Sequence, residues 1–249
     1  MTQKALVVSH LNKVISKEII LNDINFSVDE KKFCSVIGEN GAGKTTLLRM
    51  IAGIEPTSGI NIFGKPVKNY KPKELARAVS LLPQHITKAP FSVIEFLLLS
   101  RYPYQFSYSD TKEEKNICYE ALDIVGISRL SDKYLNRISG GELELVYLAS
   151  CIAQRPKLLL ADEPTTFLDM SYKKHINNIF KILKEFTTVI LVTHNIELVR
   201  ELSDQVIALK KGKMIFNGAS DEIENFNDIF SSNKLSVNKD KISRFFYGA

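Results

Sequence analysis

The stretch Gly38-Glu39-Asn40-Gly41-Ala42-Gly43-Lys44-Thr45 decides the fold. Its spacing, G-x-x-x-x-G-K-[ST], is that of a backbone loop that cradles phosphates. Ahead of it runs an apolar segment, Phe33-Cys34-Ser35-Val36-Ile37, and behind it Leu47, Leu48, Met50, Ile51 and Ile54 recur at helical spacing. Strand, loop and helix in that order are the context the motif needs. Gly38, Gly41 and Gly43 let the chain curl with successive N–H groups turned inward. The helix that starts near Lys44 adds the positive end of its dipole. In this reading Lys44 reaches the β- and γ-phosphates and the Thr45 hydroxyl holds Mg²⁺. A plain glycine turn beside a helix is the bland alternative, and the flanking strand argues against it.

Working outward, 249 residues suit one large domain or a domain with a sizeable insertion. The net charge of +5 is mild and its lysines and arginines are scattered. No basic stripe tracks a nucleic-acid backbone, so no nucleic-acid partner is expected. Cys34, Cys118 and Cys151 have no paired spacing and lie in apolar patterns. They read as buried small hydrophobes in a reducing cytosol. The N-terminus carries no signal-peptide pattern. Apolar runs such as 96–99 and 189–192 are too short to span a bilayer. A membrane role therefore has to come through a partner.

Residues 4–37 alternate apolar and polar positions in short segments, as antiparallel strands do. A short strand is predicted over 60–63 with a turn at Gly64-Lys65, and a buried strand over 79–82. The stretch from about 84 to 154 is mostly helical in pattern. One helix is predicted from Asp110 to Gly126, with Asp110 and Glu113 as its start signal and Ile117, Ala121, Ile124 and Val125 on one face. Strand character returns at 158–161 and 188–193 around a helix of roughly 171–186, which argues for a parallel sheet with crossover helices. A hairpin of 206–209 and 214–216 follows. Residues 221–249 are polar, rich in Asn and Lys, and read as a peripheral tail.

Two further sites carry chemistry. Leu158-Leu159-Leu160-Ala161-Asp162-Glu163 is an apolar strand that delivers two acids at its carboxyl end. Asp162 is placed to hold Mg²⁺, and Glu163 to activate the water that attacks the γ-phosphate. Ser139 and Glu142 form a capping box ahead of a helix. With Gly140 and Gly141 they also make a second anion site at a helix N-terminus.

In these motifs the chain resembles the nucleotide-binding subunit of ABC transporters. Gly38–Thr45 matches Walker A, with Glu39, Asn40, Ala42 and Thr46 completing the nucleotide-binding set. Gln84 matches the Q-loop, Ser139-Gly140-Gly141-Glu142 the signature, and 158–163 Walker B. Thr166-Phe167-Leu168-Asp169 matches the D-loop and His194 the switch histidine. The resemblance implies an α/β phosphate-loop fold with a RecA-like core, an N-terminal antiparallel β region and an inserted helical subdomain of about 85–155, all within 1–220. It implies ATP and Mg²⁺ as ligands and a head-to-tail homodimer in which the signature helix of one copy caps the ATP of the other. Catalysis falls to Glu163, His194 and Gln84, with Gln84 also on the metal and Asp169 crossing the interface. The family pattern usually places an aromatic residue before Walker A to stack on adenine. Here 12–16 has none, and Val14 or Ile15 offers an apolar platform. Leu143-Glu144-Leu145 replaces polar residues usual after the signature.

The segment 91–104, with Val93, Glu95 and Arg101-Tyr102-Pro103, is similar to one in importers of iron–siderophore, haem and cobalamin type, with Ser100 where Gly is usual. That implies an ATPase on the cytoplasmic face of the membrane. It would be bound to integral permease subunits and, through them, linked to a substrate-binding protein. The segment reads either as helical packing or as a groove that receives a helix of the permease on hydrophobic anchors with Arg101 nearby. A cytosolic ATPase of an iron–sulfur assembly scaffold is the alternative expectation.

Overall fold

The computed structural model describes residues 3–104, 112–166 and 168–222. Two twelve-residue strands open the chain, β1 (Lys4–Ile15) and β2 (Glu18–Asp29). They are joined by a tight turn in which Ser16 and Lys17 take φ of 49° and 73°. β3 (Phe33–Gly38) leads through the glycine loop into α1 (Lys44–Ile51). Next come β4 (Ile60–Ile62), β5 (Lys65–Pro66), α2 (Pro72–Ala78) and β6 (Val79–Leu82). Three helices then run in succession, α3 (Val93–Arg101), α4 (Lys112–Ile124) and α5 (Gly140–Ala153). β7 (Leu158–Asp162), α6 (Met170–Leu183), β8 (Thr188–Val192) and α7 (Ile196–Leu202) restore the β–α alternation. β9 (Gln205–Lys210) and β10 (Lys213–Gly218) form a closing hairpin.

The strands sort into two sheets, β2-β1-β4-β5 and β10-β9-β3-β8-β7-β6. The first is antiparallel. In the second, β9, β3, β8, β7 and β6 run parallel and β10 is an antiparallel edge. The expectation of short antiparallel strands through residue 37 is corrected on two counts. The first two strands are long, and β3 belongs to the parallel sheet. All six residues of β3 are buried, as a strand covered on both faces requires.

Period-two alternation explains the layering. Leu158 and Leu160 of β7, with Ile190 and Val192 of β8, face a core shared with α1 and the antiparallel sheet. Leu159, Ala161, Val189 and Leu191 face the opposite way, into a core shared with α3 to α6. The parallel sheet is thus sandwiched, and its carboxyl ends emerge at one edge. The predicted α4 face holds for Ile117, Ala121 and Val125, which are buried, but Ile124 is 56% exposed. It ends the helix and overhangs an apolar cavity of about 550 Å³ between α4 and the ends of α5 and α6. Asp110, the expected start signal, lies outside the described residues. The turn expected at Gly64-Lys65 falls one residue earlier, at Phe63 and Gly64, with φ of 47° and 77°.

The Arg101-Tyr102-Pro103 turn is sewn to the rest of the molecule. Arg101 is 4% exposed. Its Nε donates to Glu114 Oε2 at 2.5 Å, its Nη1 donates to the Ala153 carbonyl at 2.7 Å, and its guanidinium lies 4.0 Å from the Tyr104 ring centroid. Arg77 of α2 donates twice to the Pro103 carbonyl, at 2.9 and 2.7 Å. Arg101 is therefore a packing residue between helices, the first of the two readings this segment allows. Tyr102, 58% exposed, remains outward.

Beneath the start of α5, Glu144 is buried, and burial pushes its carboxyl up to about 7. A carboxyl raised in the folded state favours folding below its ordinary value of 4.5. That support is lost as pH rises through about 7. Glu144→Gln removes the penalty. It is expected to raise stability at pH 8 by on the order of 2 kcal/mol and far less at pH 5. Urea unfolding at the two pH values measures the difference; equal gains at both would contradict the assignment.

Candidate nucleotide-binding site

The glycine loop has the conformation its sequence demands. Gly38 has φ of 149°, and a Cβ there would sit 2.2 Å from the Leu209 carbonyl oxygen. Gly43 has φ of 99°, and a Cβ there would meet Leu21 at 2.6 Å and the Ile20 carbonyl at 2.7 Å. Neither position tolerates a side chain. Ala42 N–H donates to the Glu39 carbonyl at 3.1 Å, which closes the turn. Lys44 folds back over the loop and its Nζ donates to the carbonyls of Gly38 and Glu39, each at 2.9 Å. Burial lowers the Lys44 pKa, while the neighbouring Glu163 and Asp162 carboxylates oppose that shift.

The parallel strands deliver the acids to the same edge. Asp162 ends β7 and is 3% exposed. Burial raises its pKa, and a hydrogen bond from the Thr45 hydroxyl counters the rise. Its Oδ1 has no hydrogen-bond partner. Glu163 follows with φ of 51°, a left-handed conformation held by its N–H donating to the Val192 carbonyl at 2.9 Å. This bend turns the carboxylate away from the strand. Its Oε1 lies 2.7 Å from His194 Nε2. Its Oε2 accepts from Gln84 Nε2 at 3.3 Å and from the Thr166 hydroxyl at 3.1 Å.

The loop and Glu163 line one cavity of about 700 Å³, in the size range of small-molecule sites, while Asp162 borders a smaller neighbouring one that shares Thr45 and Gln84 with it. Asn40, Gly41, Gly43, Lys44, Thr45, Thr46, Gln84, Glu163 and His194 all border the larger cavity. Gly38, Glu39 and Ala42 shape the loop from behind. Thr166 and Ile20 border it too. In sequence Thr166 belongs only to the D-loop-like stretch, and Ile20 carries no signal beyond the alternation of residues 4–37. The apolar cavity beside Ile124 includes no residue of the glycine loop and neither Asp162 nor Glu163, and its Arg155 is paired with Glu120.

Ser139, Gly140, Gly141 and Glu142 do not reach this cavity. Ser139 caps α5, its hydroxyl accepting from Glu142 N–H at 3.2 Å. Glu142 returns the bond to Ser139 N–H at 3.1 Å, and these contacts, with Arg129 at 2.7 Å, lower its pKa. A Cβ on Gly140 would meet nothing within 4 Å, so the helix start is open on that side. Gly141 instead packs on the Tyr172 ring, where a Cβ would come within 2.8 Å. Asp169 caps α6, accepting from Ser171 and Tyr172 N–H at 2.9 and 3.1 Å. It too is outside the cavity.

A glycine loop feeding a helix, beside acids at the carboxyl edge of a parallel sheet, defines a phosphate-loop nucleotide triphosphatase. The ABC transporter family model matches residues 21–166, and the chain belongs to that family. It has the ABC ATPase fold.

Among curated relatives, an uncharacterized ABC transporter ATP-binding protein of Bacillus subtilis, YvrA, is 34% identical over 78% of this chain. The match spans 45% of that relative's length. The petrobactin import ATP-binding protein FpuC of Bacillus anthracis is 32% identical, covering 88% of this chain and 85% of its own. A phosphonates import ATP-binding protein, PhnC, of Lactobacillus gasseri is 33% identical over 85% of this chain and 87% of its own. Among solved structures, an inward-facing metal-chelate type ABC transporter superposes with a TM-score of 0.78 at 25% identity, over 92% of this chain and 89% of that one. Among the described residues no helix is long and apolar enough to cross a membrane.

Proposed function

We propose that this chain is the ATP-hydrolysing subunit of an importer that takes up a metal chelate. It would work as a head-to-tail pair on a separate membrane permease, at the cytoplasmic face. The observation that carries the reading is the separation of the two anion sites. The cavity is built from the glycine loop, Gln84, Glu163 and His194, whereas the capped start of α5 lies outside it with Gly140 open. A second copy supplies the missing wall. Its Ser139 hydroxyl and the free N–H groups of Gly140 and Gly141 would close over the γ-phosphate, adding a helix dipole.

Within one copy, the loop N–H groups and Lys44 hold the β- and γ-phosphates. The residues present fit Mg²⁺: a hydroxyl on Thr45 and an unpartnered, buried carboxylate oxygen on Asp162 are hard donors. Bound there, the ion would supply positive charge that offsets the charge of the triphosphate. Glu163 takes the proton of the attacking water. His194 and Gln84, bonded to its two oxygens, fix its direction. Asp169, as a cap at the start of α6, places the loop ahead of it at the partner's edge.

The metal-chelate assignment draws on the 91–104 segment and on the petrobactin and metal-chelate relatives; the phosphonate relative marks the competing substrate class. Uptake into vesicles reconstituted with the cognate permease decides between them, with transport of ferric siderophore expected and transport of phosphonate alone contradicting it. Ser139→Arg tests the shared site. Hydrolysis is expected to fall about 10²-fold or more, while nucleotide affinity of the isolated subunit stays within about threefold. Unaffected turnover would remove the signature from the site.

A further inference from the structure

The apolar cavity of about 550 Å³ takes no part in the site at the glycine loop. Its walls are Ile117, Ala121 and Ile124 of α4, the last residues of α5, and Ile182, Leu183 and Phe186 at and just past the end of α6. Its lip is bare. Ile124 is 56% exposed, Ile182 59% and Phe186 73%, and no large apolar side chain among the described residues is more exposed than Phe186. Single apolar side chains on a surface are ordinary, whereas several around one concave apolar site suit a partner that covers them. At the rim the Glu120 carboxylate faces Arg155 at 3.2 Å.

The sheet decides what can reach this cavity. β9, β3, β8 and β7 run parallel, so their amino ends share one edge. Pro156 and Thr187, just ahead of β7 and β8, line the cavity. Ser203, just ahead of β9, accepts at its carbonyl from the Ser220 hydroxyl at 2.9 Å. Residue 220 is therefore tied to the same edge, two strands from β8 and three from β7. At ordinary strand spacing that is about 10 to 15 Å. Lys184 draws the two places together, its Nζ donating from α6 to the Leu202 carbonyl at 3.5 Å.

Residues 223–249 follow, and they are mostly polar. They contain Arg244-Phe245-Phe246-Tyr247, which holds the only run of three aromatic residues in the chain. Residues 223–244 can span about 70 Å when extended, several times the distance needed.

We propose that Phe245, Phe246 and Tyr247 dock in this cavity of their own chain and cover its lip. The rings supply a large apolar area to Ile124, Ile182 and Phe186, and the Tyr247 hydroxyl suits the wet mouth. Arg244 brings a cation to the side of Glu120, whose carboxylate can accept from a second donor besides Arg155. So docked, the rings tie α4 and the end of α5 to α6. The docking is independent of the reaction at the glycine loop.

The chain has no tryptophan, so Phe186→Trp gives a single fluorescent reporter on the lip of the whole chain. Its emission is expected to be that of a shielded indole. Adding Phe245→Ser and Phe246→Ser is expected to shift the emission to the red and to raise acrylamide quenching several-fold. Ile182→Trp, on the same lip, replaces the reporter should Phe186→Trp fail to fold. Emission and quenching that ignore the two serines would overturn the docking. Oxidative cross-linking then identifies the occupant. Glu185→Cys, exposed beside the lip, and Gly248→Cys are expected to join within one chain, since a tethered pair meets at an effective concentration of about millimolar. The native cysteines are buried and stay out of the reaction. A disulfide between two chains would assign the cavity to a second copy and overturn the proposal. Equal joining of Gly248→Cys to Ser58→Cys, at the exposed turn ahead of β4, would overturn it too, because it would show no preferred seat.

Discussion

Glu163→Gln is expected to lower kcat roughly 10³-fold, with KM changed only a few-fold. The amide keeps the size of the carboxylate, so the backbone bend at φ of 51° and the bond to Val192 survive. What is lost is the group that accepts a proton from water. In the present geometry one carboxylate oxygen faces His194 at 2.7 Å and the other faces Gln84 and Thr166 at 3.3 and 3.1 Å. An oxygen so held sits at a defined place between the loop and the switch histidine. That is what makes it a base for a positioned water and not a general charge. Single-turnover hydrolysis measured beside nucleotide binding separates the two effects. Retention of more than about a tenth of wild-type turnover would take Glu163 out of the base role.

Lys44→Ala is expected to weaken triphosphate binding about 10²-fold or more. Lys44 is 6% exposed, and its cation is kept in place by two carbonyls and by Asp162 and Glu163. Triphosphate adds charge where this cation already sits, so the ammonium exchanges carbonyl oxygens for phosphate oxygens at little cost in reorganisation. Removing it leaves buried carboxylates facing incoming phosphate. Titration calorimetry with a slowly hydrolysed analogue reads the loss. Affinity within threefold of wild type would contradict the account of the loop.

Much of the site was legible because its parts are local. Gly38 to Thr45 specify their own turn, Ser139 and Glu142 their own cap, and 158–163 its own strand and acids. The elements on which these motifs ride were legible for the same reason: period-two runs at β7 and β8 and a helical period after the loop. Contacts that depend on packing were not. Tyr172 against Gly141 joins α6 to α5, and nothing in either stretch signals the other. Thr166 reaches Glu163 only because the chain turns back after β7. Ile20 enters the cavity through a bulge that alternation alone does not announce. An Arg beside Tyr and Pro does not decide whether Arg101 packs between helices or faces a partner. Its Glu114 and Ala153 partners are 13 and 52 residues away in sequence. The parallel pairing of β3 was likewise hidden, since its neighbours β8 and β9 lie at the other end of the chain.

In the proposed function two copies enclose the triphosphates between the loop of one and the α5 start of the other. Sedimentation velocity of the Glu163→Gln protein with and without Mg·ATP tests it most directly. A monomer without nucleotide, a dimer with it, and return to monomer when Ser139→Arg is added are expected. A protein that binds Mg·ATP to saturation and stays monomeric at every concentration tested would contradict it.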